Sequence, residues 1–196
     1  MIVDERIITF INSLDTKNSE ILEDIEREAL ADNVPIIRRE MQSFLKVLLM
    51  VKKPMRVLEV GTAVGFSALL MSEYVPEECA ITTIENYEKR IPIARQNFVR
   101  AGKEKKITLL EGDAMDVLKT LEGPYDFIFM DAAKGQYIHY LPEILRLLAK
   151  GGILVSDNVM QDGDVIESRF AVERRDRTIH ARMREYLYEL KHNDAL

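Results

Sequence analysis

Cysteine, histidine and long apolar runs are all scarce in this chain of 196 residues. The single cysteine, Cys79, excludes an intramolecular disulfide framework and fits a reducing cytoplasm. It lies beside an apolar run and reads as a small buried hydrophobe. The three histidines, His139, His180 and His192, are too scattered for zinc-ligand spacing. The longest apolar runs, such as Ile153 to Val155, are far too short to span a bilayer. The start carries Asp4 and Glu5 with no basic segment leading into an apolar core, so no signal peptide is expected. Positive charge is not in excess: the formal net charge is −6, which does not advertise nucleic-acid binding by the molecule as a whole. Internal repeats and low-complexity stretches are absent. What remains is 47% hydrophobic and 31% charged, the composition of one soluble globular domain over residues 1–196.

The apolar periodicity changes character near residue 53. Before it, Ile7, Ile8, Phe10, Ile11 and Leu14 repeat with a helical period. Ser19 is placed to cap a second helix running through Ala31, and Asn33-Val34-Pro35 breaks it. A third helix is expected from Ile36 to Val51. Residues 1–52 thus form a helical layer, joined without a linker to a core over 53–196. In that core, short apolar strands alternate with helical patterns. The strands are Met55 to Val60, Ala80 to Glu85, Lys106 to Leu110, Tyr125 to Met130 and Gly152 to Ser156. The helices are Phe66 to Tyr74, Glu88 to Ala101, Ala114 to Leu121, and Ile138 to Leu148, which Pro142 starts or bends. Glu173 to Lys191 closes the pattern. Such alternation predicts an α/β, doubly wound Rossmann-like parallel sheet with ligands outside the carboxyl ends of the strands.

The first strand runs into Glu59-Val60-Gly61-Thr62-Ala63-Val64-Gly65-Phe66-Ser67. This strand, glycine turn and helix form a nucleotide-cradling corner. It is no dinucleotide fingerprint, because Ala63 and Phe66 stand where further glycines belong, and no Gly-Lys-Ser/Thr makes it a P-loop. An acid two residues before the first glycine suits a cationic cofactor without phosphates, and S-adenosylmethionine is the evident candidate. Glu59 would meet its charged region and Gly61 would let the backbone approach. A plain βα turn is the bland alternative. Glu85 lies 26 residues after Glu59, close to the spacing at which an acid takes ribose hydroxyls. The third strand ends in Gly112-Asp113-Ala114, placed to hold an adenine amino group through Asp113 and the Ala114 backbone. Singly, Glu85 is a surface acid; together with Glu59, Gly61 and Asp113 it makes an ordered set.

The last two strands end in polar groups. Asp131 follows the fourth, with Lys134 three residues on, and Asp157-Asn158 follows the fifth. If those strands are neighbours, Asp131, Asp157 and Asn158 converge. An oxygen-only set favours Mg²⁺, Mn²⁺ or Ca²⁺ over zinc. A strand-ending turn at Asp157-Asn158 and a solvated Lys134 are the bland alternatives.

Together the strings E-V-G-T-A-V-G-F-S, T-I-E, E-G-D-A, F-M-D-A-A-K-G-Q-Y and V-S-D-N resemble the cation-dependent O-methyltransferases of the catechol and caffeoyl-CoA type. Within that family, D-A-A-K-G-Q-Y and the arginine-rich segment look most like the bacterial tRNA 5-hydroxyuridine methyltransferases. The resemblance implies that Ile37, Glu59, Gly61, Gly65, Ser67, Glu85, Ala114 and Asp131 contact S-adenosylmethionine. It further implies that Asp131, Asp157 and Asn158 hold Mg²⁺, and that Lys134 is the general base acting beside Asp131. It implies a homodimer through the N-terminal helices and a cytoplasmic enzyme. The family's sheet closes with two more strands, and the last residues here, from Asp194 on, fall where those would begin.

The acceptor stays open between a wobble 5-hydroxyuridine in tRNA and a small catechol-like or caffeoyl-CoA-like molecule, since both present vicinal oxygens. Arg38, Arg39, Arg174, Arg175 and Arg177 are candidates to grip an RNA backbone. A solvated helix face, paired with Glu173 and Asp176, is the alternative. A non-catalytic S-adenosylmethionine-binding or RNA-binding module is the reading from a different class, and Lys134 with the metal set argues against it.

Overall fold

The computed structural model describes residues 3–194 and 196. Met1, Ile2 and Ala195 lie outside the described residues, and so do those ends of the 1–196 domain. Three helices come first: α1 Glu5–Ser13, α2 Glu20–Ala31 and α3 Arg39–Lys52. The alternating core follows with β1 Arg56–Val60, α4 Phe66–Glu73, β2 Ala80–Glu85, α5 Ile91–Arg100, β3 Ile107–Glu111 and α6 Ala114–Thr120. It continues with β4 Tyr125–Met130, α7 Tyr137–Leu147, β5 Leu148–Ser156 and α8 Arg177–His192. The sheet of five strands has the order β3-β2-β1-β4-β5, and every pair is parallel. This is the doubly wound architecture expected from the alternation, with its switch point between the β2 and β4 sides of β1.

Period-two alternation splits the apolar side chains between two layers. Val57, Phe127 and Phe129 face a core built with Leu22, Ile25, Leu45 and Leu49 from α2 and α3 and with residues of α4 and α5. Leu58, Val60, Ile128 and Met130 face the opposite core, built with α6, α7 and α8. The helical layer therefore shares one core with the sheet. α1 is the exception: it buries no residue and is tied to α3 by Asn12 donating to Glu40 Oε1 at 2.7 Å.

Several boundaries differ from the sequence reading, each for a local reason. α3 starts at Arg39, not Ile36, because the chain after Pro35 runs extended and Arg38 has φ −63°, ψ 155°. Ser19 occupies the N-cap position of α2, but its hydroxyl goes to Glu73 and makes no cap hydrogen bond. α8 starts at Arg177, so Arg174 and Arg175 sit on a turn instead of a helix. β5 begins four residues early, at Leu148, with an irregularity in its pairing to β4. Pro142 lies inside α7.

Candidate functional site

A cleft of ≈ 730 Å³ opens at the carboxyl ends of the strands. Gly61, Glu85, Gly112, Asp131 and Asp157 reach it from the ends of β1, β2, β3, β4 and β5, and Ile37 and Arg38 close one side from before α3. Six carboxylates (Glu85, Asp131, Asp157, Asp162, Asp164, Asp176) and three basic side chains (Arg38, Arg90, Lys134) line it. That balance suits a cationic ligand and disfavours a polyphosphate.

At β1 the turn is shaped by two glycines in left-handed conformations, Gly61 at φ +93° and Gly65 at φ +87°. A Cβ on Gly61 would stand 2.2 Å from the Asp131 carbonyl oxygen, so only glycine lets the ends of β1 and β4 approach. Gly65 lines no part of the cleft; a Cβ there would meet the Phe98 ring at 2.6 Å, and its role is packing at the start of α4. Glu85 is held rigidly. Its Oε2 accepts from the Ala63 N–H at 2.7 Å, and its Oε1 from the N–H groups of Asn86 and Tyr87 at 2.9 Å each. Ser67 and Ala114 face the cleft, whereas Asp113 turns its carboxylate to the Met115 N–H and caps α6.

Glu59 differs from expectation. It is fully buried and does not line the cleft, because Thr83 donates its hydroxyl to Oε2 and holds the side chain inside. Its Oε1 and the buried Thr62 hydroxyl have no formed hydrogen bond among the described residues. Burial raises the Glu59 carboxyl to about 7; nearby Ser67, Thr62 and Thr83 hydroxyls oppose the rise, and the Asp131 charge adds to it. The chain pattern alone carries no sign of the Thr83 contact.

Asp131, Asp157 and Asn158 do meet, since β4 and β5 are neighbours. Asp131 is pushed above the usual carboxylate range by burial first and by Asp157 second, with Lys134 opposing. Its Oδ1 lies 3.7 Å from Lys134 Nζ. Asp157 is also raised by burial, held back by the Asn158 N–H, Lys134 and Arg38. The Asn158 side-chain amide turns toward Asp157 Oδ2 at 3.3 Å. Among the described residues no three His, Cys, Asp or Glu side chains group to hold a metal; the set is two carboxylates and one amide. Its oxygen-only chemistry, and two carboxylates both raised by burial with Asp157 adding to the rise of Asp131, fit a hard divalent cation.

Tyr137 is the brace that the sequence reading missed as a functional group. Its hydroxyl donates to the Met130 carbonyl at 3.0 Å and lies 3.4 Å from the Asp157 carbonyl, and the Ala132 N–H donates to it at 3.3 Å. Burial pushes the phenol up, so it stays a donor. The ends of β4 and β5 are thereby tied together.

The arginines divide. Arg38 reaches Asp162 at 3.1 Å across the cleft mouth. Arg39 points away, to Glu26 at 2.9 Å and Glu23 at 3.4 Å within the helical layer. Arg175 pairs with Glu173 and Asp176, and Arg177 donates to the Val172 carbonyl at 3.2 Å. Only Arg174 of the turn cluster is exposed and forms no hydrogen bond or ion pair among the described residues.

The O-methyltransferase family profile matches residues 12–193, nearly the whole chain. The chain belongs to the O-methyltransferase family. Among its relatives is the catechol O-methyltransferase of Niastella koreensis, 35% identical over 128 residues, 63% of this chain and 58% of that one. Another is caffeoyl-CoA O-methyltransferase 2 of Populus trichocarpa, 35% identical over 133 residues, 63% of this chain and 52% of that one. The matches thus span little more than half the length of these relatives. The crystal structure of the Bacillus cereus O-methyltransferase in complex with SAH superposes with a TM-score of 0.82 at 27% identity, covering 94% of this chain and 84% of that one. No helix among the described residues is long and apolar enough to cross a membrane.

Proposed function

We propose that this chain is an S-adenosylmethionine-dependent O-methyltransferase acting on an acceptor with two vicinal oxygens. The observation carrying this reading is the acid-rich cleft in which a rigid Glu85 on β2 and the Asp131–Lys134 pair after β4 face one space. The Bacillus cereus relative holds SAH, and other relatives carry catechol and caffeoyl-CoA in their names. Glu85 would take the ribose hydroxyls, while Gly61, Ser67 and Ala114 would line the rest of the cofactor site with Ile37 as an apolar wall. Asp131, Asp157 and Asn158 would hold Mg²⁺ or Mn²⁺. A bound divalent ion would lower the pKa of an acceptor hydroxyl and orient it, and S-adenosylmethionine would supply an electrophilic methyl group. The methyl group would pass from sulfur to the acceptor oxygen, and Lys134 Nζ, beside Asp131 Oδ1, would take the acceptor's proton from its neutral amine form. Tyr137 keeps those strand ends in place. Positioning of this kind supplies roughly 7–11 kcal/mol of barrier lowering.

Two acceptors share this chemistry. The wobble 5-hydroxyuridine of a tRNA remains part of the proposal through the D-A-A-K-G-Q-Y string; exposed Arg174 is the group free to meet a phosphate, while the rim residue Arg38 would have to exchange Asp162 for one. The internal pairing of Arg39, Arg175 and Arg177 favours instead a small catechol-like or caffeoyl-CoA-like acceptor. Residues 1–196 are read as one domain because α2 and α3 share the sheet's core. A homodimer through the N-terminal helices is supported by exposed Phe10, Leu14, Phe44 and Val51. Cytoplasmic residence is supported by the lone, buried Cys79. The deciding experiment is methylation of tRNA from a strain lacking the enzyme, beside a catechol and a caffeoyl thioester, each with and without EDTA. Turnover of none of them, or turnover undiminished in EDTA, would contradict the reading.

A further inference from the structure

After Asp157 the chain takes an unusual path. Asn158, Gln161 and Asp162 have φ of 56°, 48° and 53°, and Gly163 follows at 106°. Left-handed backbone is unfavourable for residues with a Cβ and persists where the surroundings enforce it. Asp162 is engaged by Arg38. Gln161 is held without a comparable partner. It lines the cleft beside Asp157 and Asn158, and its Oε1 is buried with no hydrogen-bond partner among the described residues. A half-turn of the carboxamide would exchange oxygen for NH₂ and leave an unmatched donor in place of an unmatched acceptor. Backbone strain and an orphaned polar group at one residue of the cleft wall form the pattern of a group kept for a ligand.

We infer that Gln161 is a specificity-determining residue on the acceptor side, where its carboxamide pairs with the imide edge of a hydroxylated pyrimidine. The inference rests on the O-methyl-transfer reading and selects between its two acceptor classes. A carboxamide carries one acceptor and one donor side by side, the complement of a ring N–H beside a C=O. In a 5-hydroxyuracil ring the vicinal oxygens are the 5-hydroxyl and the 4-carbonyl, and the next group round the ring is the N3–H. A catechol ring has a C–H there and would leave Oε1 as unpaired as it stands. Sites built to hydrogen-bond a substrate discriminate strongly against an analogue lacking the group.

The test is the ratio of kcat/KM for 5-hydroxyuridine to that for catechol, measured with S-adenosylmethionine and Mg²⁺. Gln161→Leu should lower the ratio about 10–100-fold, the factor expected for stranding one or more hydrogen bonds. Gln161→Gly also removes the carboxamide but relieves the left-handed strain, so it should lower the ratio while the protein melts no earlier than the unsubstituted chain. A ratio that stays within twofold in both variants, because both acceptors fall together or neither falls, overturns the inference. Calorimetry of 5-hydroxyuridine with the SAH-saturated protein reads the same contact without turnover. Binding that Gln161→Leu weakens, in a protein that methylates neither acceptor, keeps the inference and removes the methyl-transfer reading. No binding to the unsubstituted protein removes the inference itself.

Discussion

A carboxyl group sealed in an apolar interior must either lose its charge or acquire a partner for it. Glu59 has one hydroxyl partner and an unpaired oxygen, so its pKa rises from 4.5 to about 7. The folded state then holds the proton more tightly than the unfolded chain does, and stability falls as pH rises between those values. That slope corresponds to about 3 kcal/mol lost between pH 4.5 and pH 7. Glu59→Gln should flatten it, giving the ligand-free protein a higher urea midpoint at pH 8 with little change at pH 5. Equal midpoint shifts at both pH values would show that Glu59 is not the titrating group. Glu85 presents the opposite case, a carboxylate satisfied by three backbone N–H groups. Glu85→Ala strands those donors and would remove the proposed ribose contact. It should weaken S-adenosylmethionine binding by about 1–3 kcal/mol in calorimetry and also lower the melting temperature. Unchanged affinity would reject the cofactor assignment.

At the scale of elements, the decisive junction is where β4 and β5 end. Asp131 and Asp157 belong to different strands, and the Tyr137 hydroxyl at the start of α7 ties both chain ends. Tyr137→Phe would leave the Ala132 N–H and the Met130 carbonyl without this partner, at a cost of about 1–3 kcal/mol. Turnover should fall more than stability alone explains, since the spacing of Asp131 from Asp157 would relax. A melting shift with kcat intact would make Tyr137 a packing residue only. This junction also marks what the sequence could reveal. Alternation and strand-end acids placed Asp131, Asp157 and Glu85 on one rim, because a parallel sheet brings every strand's carboxyl end to the same edge. Residues whose role depends on the side chain's direction were not legible. Asp113 lies at a strand end like the others but caps α6, and Glu59 turns inward because Thr83, 24 residues away, receives it. Gly65 shares the motif with Gly61, yet its neighbour is Phe98 of α5. Arg175 and Arg177 are consumed by partners that a charge count cannot see.

For the whole molecule, α1 poses a question of partners. It is nine residues long, below the length at which a helix persists alone in water, and buries none of its side chains within its own chain. Ile7, Phe10, Ile11 and Leu14 are at least half exposed, and so are Phe44, Val47 and Val51 on α3. A second copy would cover them, and light scattering should give twice the 22.6 kDa chain mass. Phe10→Asp with Leu14→Asp should return the mass to that of one chain; a monomeric unsubstituted protein would refute the dimer. The strand order has a consequence in time as well as in space. Val57 pairs with Ile81, 24 residues on, and with Phe127, 70 residues on. The longer closure costs roughly 1 kcal/mol more chain entropy, so β1, β2 and β3 have the easier route to early assembly, with β4 and β5 docking late. Glu85 and Gly112 belong to the first half, Asp131 and Asp157 to the second. The cleft therefore does not exist until folding is nearly complete. Saturating S-adenosylmethionine should leave the refolding rate in stopped-flow unchanged and slow only unfolding, so that a bound ligand acts as a clasp on a finished molecule and never as a template for an unfinished one.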